Sequence, residues 1–154
     1  MNIELKDFNI QKTTKLLIDL IQKHNIKNQL IVSSFKHEYY QELKAYNLDI
    51  HFQFLFNSEF KREFPFQSVY DICNRGTMNI FYGYITEEMV KEIHSKNFGV
   101  MAWCNKTKSD KVNVEEDEET FYNLIKMGVD IICTNKPDIV LQARNRFINN
   151  HQKI

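Results

Sequence analysis

The sequence predicts an α/β fold in which about six parallel strands alternate with helices, and three observations carry that prediction. Short apolar runs recur between stretches of helical periodicity, with no long strand-only region, which implies repeated βα units. The four glycines, Gly76, Gly83, Gly99 and Gly128, form no Gly-x-Gly-x-x-Gly turn of the kind that marks the ligand site of a doubly wound sheet. Polar residues instead fall at the ends of several strands: Glu4 with Lys6, Ser33 with Ser34, Asn79, Trp103 with Asn105, and Thr134 with Asn135. A (β/α) barrel carries its functional groups at such strand ends, so the barrel is favoured over the doubly wound sheet.

The elements follow in order. Asn2 to Lys6 is a brief extended segment. Thr13 to His24 reads as a helix with Leu16, Leu17, Leu20 and Ile21 on one face. Leu30 to Phe35 is a β-branched, buried strand, and Lys36 to Tyr46 a helix striped by Tyr39, Tyr40 and Leu43. Ile50 to Phe56 alternates strictly, with Phe52, Phe54 and Phe56 on one side and His51, Gln53 and Leu55 on the other, which is the period of a strand. The phenylalanine side is expected to fill the barrel interior. Gln67 to Asn74 forms a short helix stopped near Gly76, and Met78 to Phe81 a short strand. Thr86 offers an N-cap, and Glu87 and Glu88 suit the positive end of a helix running to Lys96. Gly99 to Cys104 is a strand, Asn105 to Val114 an insertion-like loop, and Glu116 to Met127 a helix closed by Gly128 at C′. Val129 to Thr134 is the last strand, and Pro137 opens a final helix at N1.

Composition narrows the function. Hydrophobic residues make up 43% of the 154 residues, with twelve Phe and seven Tyr, enough for a packed core and against disorder. Twenty basic residues balance twenty acidic ones, and the one strong charge run, Glu115 to Glu119, is acidic and reads as a solvated helix start. Nucleic acid is therefore not an expected partner. Cys73, Cys104 and Cys133 form no Cys-x-x-Cys pair or zinc-ligand spacing, and Cys104 and Cys133 end apolar runs as small core residues do. That usage suits a reducing cytoplasm. No apolar stretch approaches the ~18 residues of a membrane span, and the N-terminus does not read as a signal sequence. A soluble, cytoplasmic chain is expected.

Glu4 and Lys6 are two residues apart, so a strand projects them to one face. A carboxylate at a barrel rim is a hard ligand for Mg²⁺ or Ca²⁺, and an ammonium there can hold a phosphate oxygen. An ordinary Glu–Lys pair near a chain terminus has the same spacing. Trp103 and Phe35 each read either as a pocket wall or as a core aromatic at a strand end, with Phe35 on the core side, and Asn79 reads as a rim contact.

Five segments in register resemble the glycerophosphodiester phosphodiesterase family. Asn2-Ile3-Glu4-Leu5-Lys6 is similar to its N-I-E-hydrophobic-K strand, and Val32 to Glu38 to its S-S-F-x-H segment. Ile85 to Val90 with His94 resembles its T-x-E-x-V-x-x-x-H helix, and Val100 to Trp103 its V-x-V-W strand. Leu124 to Asp138, with Gly128-Val129-Asp130 and Thr134-Asn135-Lys136-Pro137-Asp138, looks like its closing L-G-V-D-G-I-x-T-[ND]-x-P-D. The likeness runs to about Arg146, so residues 1–146 read as a partial barrel domain and 147–154 as a C-terminal tail. It implies an incomplete TIM-type (β/α) barrel lacking the first two strands, with the strands near Asn2 and Thr134 as the edges of the opening.

The resemblance also assigns roles. Glu4 becomes a ligand of a divalent cation, Mg²⁺ or Ca²⁺, Lys6 a phosphate-pocket residue, and Trp103 a wall of the glycerol or head-group pocket. The implied reaction is metal-assisted hydrolysis of a glycerophosphodiester to glycerol 3-phosphate and an alcohol, a step of lipid metabolism. The family's His-Arg strand, its Glu-x-Asp strand and its second catalytic His belong upstream of Met1. None of the five histidines takes their place, and His37 and His94 look structural. No catalytic residue is therefore assigned, and cation binding and turnover are expected to fail in the isolated chain. The expected partners are a glycerophosphodiester and an N-terminal complementing polypeptide, or self-association through open strand edges. A pseudoenzyme binding a phosphodiester or a partner protein is the second reading, and a generic βα binding module the third.

Overall fold

A computed structural model describes residues 1–56, 66–104 and 115–151. Six strands, β1 (Asn2–Glu4), β2 (Ile31–Ser34), β3 (His51–Leu55), β4 (Gly76–Phe81), β5 (Phe98–Trp103) and β6 (Ile131–Cys133), form one parallel sheet in sequence order. The helices are α1 (Ile10–His24), α2 (Glu38–Ala45), the single turn α3 (Gln67–Tyr70), α4 (Glu87–Ser95), α5 (Glu118–Met127) and α6 (Pro137–His151). The sheet curls into a half-barrel backed by helices, with β1 and β6 at its two ends, as the sequence predicts. The insertion-like loop from Asn105 to Val114 lies outside the described residues. The proposed domain boundary at Arg146 falls inside α6, which continues to His151.

Helix starts follow from local capping chemistry. Asn9 caps α1 by accepting the Lys12 N–H at 3.1 Å, which starts the helix earlier than its apolar pattern suggests. Thr86 caps α4 as expected, accepting the Met89 N–H at 3.3 Å. α5 begins at Glu118 rather than Glu116, because Asp117 caps it, accepting the Thr120 N–H at 2.8 Å. At the other end of α5, Gly128 takes the left-handed conformation, φ 92°, which a side chain would strain.

The register fixes which side chains share a face, because partners in a parallel ladder project to the same side. Glu4 pairs with Ser33, Ser33 with Gln53, Gln53 with Thr77, Asn79 with Met101, and Trp103 with Cys133. This set lines the concave face. The opposite face, with Val32, Phe52, Phe54, Met78 and Val100, meets the helices: the Tyr40 ring lies 5.7 Å from Phe52 and 5.4 Å from Phe54. The phenylalanine side of β3 therefore fills the sheet–helix layer, not the barrel interior as the alternation suggested. Both faces are closed, since Gln53 is as buried as Phe52, and period two cannot say which face is which.

The ends of the sheet are the exception. α1 buries Leu17, Ile18 and Ile21, but Leu16 and Leu20, expected on the same face, are 55% and 51% exposed. On the 3.6-residue period the sheet takes the stripe through Thr14, Leu17, Ile18 and Ile21, and Leu16 and Leu20 fall beside it. At the far end α6 buries only Ala143, leaving Leu141 exposed, and Ile131 of β6 is exposed too. Cys133 is likewise exposed, contrary to its reading as a core thiol, because among the described residues β6 has no neighbour beyond it in the sheet.

Candidate active site at the strand rim

All six strands point the same way, so their C-terminal ends form one rim. At β1 the Leu5 N–H donates to the Ser33 carbonyl at 2.8 Å, and the Ser34 hydroxyl donates to the Leu5 carbonyl at 2.7 Å. These bonds keep the chain extended past Glu4, so Leu5 is buried and Glu4 and Lys6 emerge together, joined by an ion pair of 3.2 Å. The next residue, Asp7, is occupied by its own loop. Its carboxylate accepts from the Asn9 N–H, the Thr13 hydroxyl and the Phe8 N–H, which together hold its carboxyl below the usual range. Its carbonyl accepts from Lys36 Nζ at 2.9 Å and the Tyr39 hydroxyl at 3.1 Å.

Across the sheet, Trp103 closes β5 against Phe81, with ring centroids 4.9 Å apart. Phe81 also meets Tyr82 at 4.8 Å and Tyr84 at 5.6 Å, giving the rim an aromatic wall. Beyond it Thr134 donates its hydroxyl to Glu116 Oε2 at 2.6 Å, and Lys136 Nζ donates to the Glu116 carbonyl at 2.9 Å. Glu116 is thus a rim carboxylate that the sequence concealed inside an acidic run. Only its closure onto Thr134, eighteen residues away, sets it apart. Burial, with Glu116 and Cys133 nearby, pushes the Cys104 thiol up to about 12, so it stays protonated in the core. Phe35, expected in the core, is 49% exposed, because β2 ends at Ser34 and the chain turns out over the rim.

Glu4, Lys6 and Trp103 therefore share one rim and one face. Glu4 and Lys6 touch; Trp103 does not join them, since β2, β3 and β4 intervene, an arc of roughly 19 Å at the usual strand spacing. His37 and His94 are occupied structurally. His37 Nε2 lies 3.1 Å from the Leu55 carbonyl with its ring edge-on to Phe54 and Phe56, and His94 Nε2 lies 2.9 Å from Asp130 Oδ2. Among the described residues no three His, Cys, Asp or Glu side chains gather as metal ligands. Mg²⁺ or Ca²⁺ takes about six or more oxygens, and a single carboxylate already paired with Lys6 does not meet that demand. The residues present do not by themselves fit the cation. No helix among the described residues is long and apolar enough to cross a membrane.

Comparison with known proteins agrees with the half-barrel fold. The model of the glycerophosphoryl diester phosphodiesterase family matches residues 1–139. No curated protein matches the sequence. Among solved structures, a proposed glycerophosphodiester phosphodiesterase from Galdieria sulphuraria superposes with a TM-score of 0.73 at 25% identity, over 92% of this chain and 55% of that one. An Oleispira antarctica phosphodiesterase, solved with its product sn-glycerol-3-phosphate, gives 0.69 at 17% identity over 94% and 54%. A glycerophosphodiester phosphodiesterase from Parabacteroides distasonis gives 0.68 at 15% over 94% and 56%. The chain spans about half the length of these structures.

Proposed function

We infer the function from one premise: this chain belongs to the glycerophosphoryl diester phosphodiesterase family. We propose that it supplies one wall of a glycerophosphodiester-hydrolysing site in lipid metabolism. The carrying observation is that Glu4, Lys6 and Trp103 share the rim and concave face of a six-strand half-barrel in which β1 and β6 pair with no further strand among the described residues. In this reading Lys6 holds a phosphoryl oxygen and Trp103 walls the glycerol or alcohol portion. Glu4 is one oxygen ligand of a set completed by strands pairing with β1 and β6. Hydrolysis adds a water oxygen to phosphorus and breaks the bond to the alcohol oxygen, which leaves with a proton. Proton transfer needs a group titrating near neutrality, and none of the described histidines opens onto the concave rim. His37 and His94 are bound as above, His51 pairs with Thr77, and His24 and His151 end α1 and α6. The acid and base therefore come with the completing strands. The three free thiols favour a reducing, cytoplasmic setting.

A second reading, a protein that binds the phosphodiester without turning it over, is favoured by the Glu4–Lys6 ion pair, which leaves neither group committed to chemistry. The test is purified chain with glycerophosphocholine and Mg²⁺ or Ca²⁺, with and without a polypeptide carrying the first two βα units of a family member. Glycerol 3-phosphate released only with the complement supports the first reading; binding with no turnover in either arm supports the second. Turnover by the chain alone, abolished by Glu4→Gln, refutes the assignment of acid and base to other strands.

A further inference from the structure

TIM-type barrels usually fill their interior with branched aliphatic side chains. Here the concave face carries Ser33, Gln53, Thr77 and Asn79, each no more than 3% exposed. Most of these have partners. The Ser33 hydroxyl donates to Asn2 Oδ1 at 3.1 Å, and Thr77 Oγ1 lies 2.7 Å from His51 Nε2. Asn79 is different. Its Nδ2 makes one long contact, 3.4 Å to Gln53 Oε1, and a weak bond of 3.3 Å to Met101 Sδ, and its buried Oδ1 has no partner among the described residues. One layer nearer the rim, the buried indole Nε1 of Trp103 also has no partner among the described residues.

Asn79 pairs in register with Met101, and Trp103 stands two residues further along β5 on the same face. Strand spacing and rise put their Cα atoms about 8 Å apart. An orphan acceptor and an orphan donor thus sit within the span of one small molecule. A buried polar group without a partner is a rarity that calls for one. A cation would satisfy the amide oxygen but not the indole N–H, and an anion the reverse. A hydroxyl-bearing chain satisfies both, because each hydroxyl donates and accepts.

We propose that Asn79 is a specificity residue that reads a hydroxyl of the substrate's polyol portion. That hydroxyl donates to Asn79 Oδ1, while the Trp103 indole N–H donates to an oxygen of the same polyol. This deepens the phosphodiesterase reading and rests on it.

Trp103 is the single tryptophan, so its fluorescence reports on this site alone. The chain is titrated with glycerol 3-phosphate, with n-propyl phosphate, which lacks the hydroxyls, and with inorganic phosphate. The same titrations are run on Asn79→Leu, with Asn79→Ser as a milder substitution and circular dichroism to verify folding. The expected result is saturable binding of glycerol 3-phosphate about tenfold or more tighter than of n-propyl phosphate, with the preference lost in Asn79→Leu, as for a hydroxyl-reading site. Equal binding of the two esters by the wild-type chain overturns the role of Asn79 and leaves the phosphodiesterase reading standing. An unchanged preference in a folded Asn79 variant also overturns it, and means that the orphan oxygen serves an internal water. Failure of all three phosphates to bind overturns the inference, whereas the phosphodiesterase reading is decided by the complementation assay.

Discussion

Asp130→Ala should weaken folding by about 1.5 kcal/mol, mostly through one backbone group. Asp130 Oδ2 accepts the Val100 N–H at 2.7 Å and sits 2.9 Å from His94 Nε2, and the Asp130 N–H returns to the Val100 carbonyl at 3.0 Å. The carboxylate packs over Gly99, where an added Cβ would stand 3.4 Å from Oδ2. Val100 is fully buried in the sheet, so removing its acceptor leaves an unpaired N–H, a loss of about 1–3 kcal/mol. Asp130 is 47% exposed, so water can recover part of this and the lower half of the range applies. The His94 contact, 40% exposed, adds at most about 0.5 kcal/mol after solvent screening. Asp130→Asn keeps an oxygen acceptor and should lose only about 0.5 kcal/mol, and His94→Ala about the same. Urea unfolding followed by Trp103 fluorescence resolves these differences if the slope is unchanged. In heating, the Ala variant should melt roughly 3–6 °C lower. If Asp130→Asn is as damaging as Asp130→Ala, the charge pair with His94 dominates and the backbone argument is wrong.

Three further outcomes are expected. Burial lowers the pKa of His37 from its ordinary 6.5, more than the Leu55 carbonyl and Glu38 raise it, and burial then Arg75 lower that of His51. Both take up protons more readily when unfolded, so stability is full above about pH 6.5 and falls as the pH drops through that value toward the folded pKa. Replacing His37 with Gln should flatten the slope of unfolding free energy between about pH 7 and 5, and an unchanged slope would rule His37 out as its source. Leu16→Glu with Leu20→Glu and Leu141→Glu should change the unfolding free energy little, because all three side chains are about half exposed. A large loss in urea unfolding would mean that these side chains are covered in the folded chain. In a thiol-labelling assay on the native chain, Cys133 should react first and Cys104 only on unfolding; early labelling of Cys104 would contradict its buried, protonated state.

Much of this was legible from residue order. The alternation of apolar runs with helical stripes gave six strands in a parallel sheet, and the spacing of Glu4 and Lys6 put them on one face. The failures have a common cause. Leu16 and Leu20 look as apolar as Leu17 and Ile21, and a sequence does not say which flank lacks a neighbour. Phe52 and Phe54 show period two, but Gln53 opposite them is equally buried, so polarity misassigned inside and outside. Glu116 lies in a charge run and becomes distinct only through Thr134. Asn79 stands out in the sequence as a polar residue of a strand, but its unpartnered oxygen and its place beneath Trp103 follow only from the register.

The order of the sheet also bears on how the molecule is made. Asn2 finds Ile31, Ile31 finds His51, Gln53 finds Thr77, Gly76 finds Phe98 and Met101 finds Ile131, so every pairing closes a loop of one βα unit. Loop-closure entropy grows slowly with length, by about 0.6 kcal/mol per doubling, so no one closure is much harder than another. The sheet can therefore zip from any pair toward either end, each strand docking on a template already formed. Pairing β1 with β6 themselves would be a different kind of event, because it would close a loop spanning nearly the whole described sheet in sequence, whereas strands added to either end dock on a template already formed.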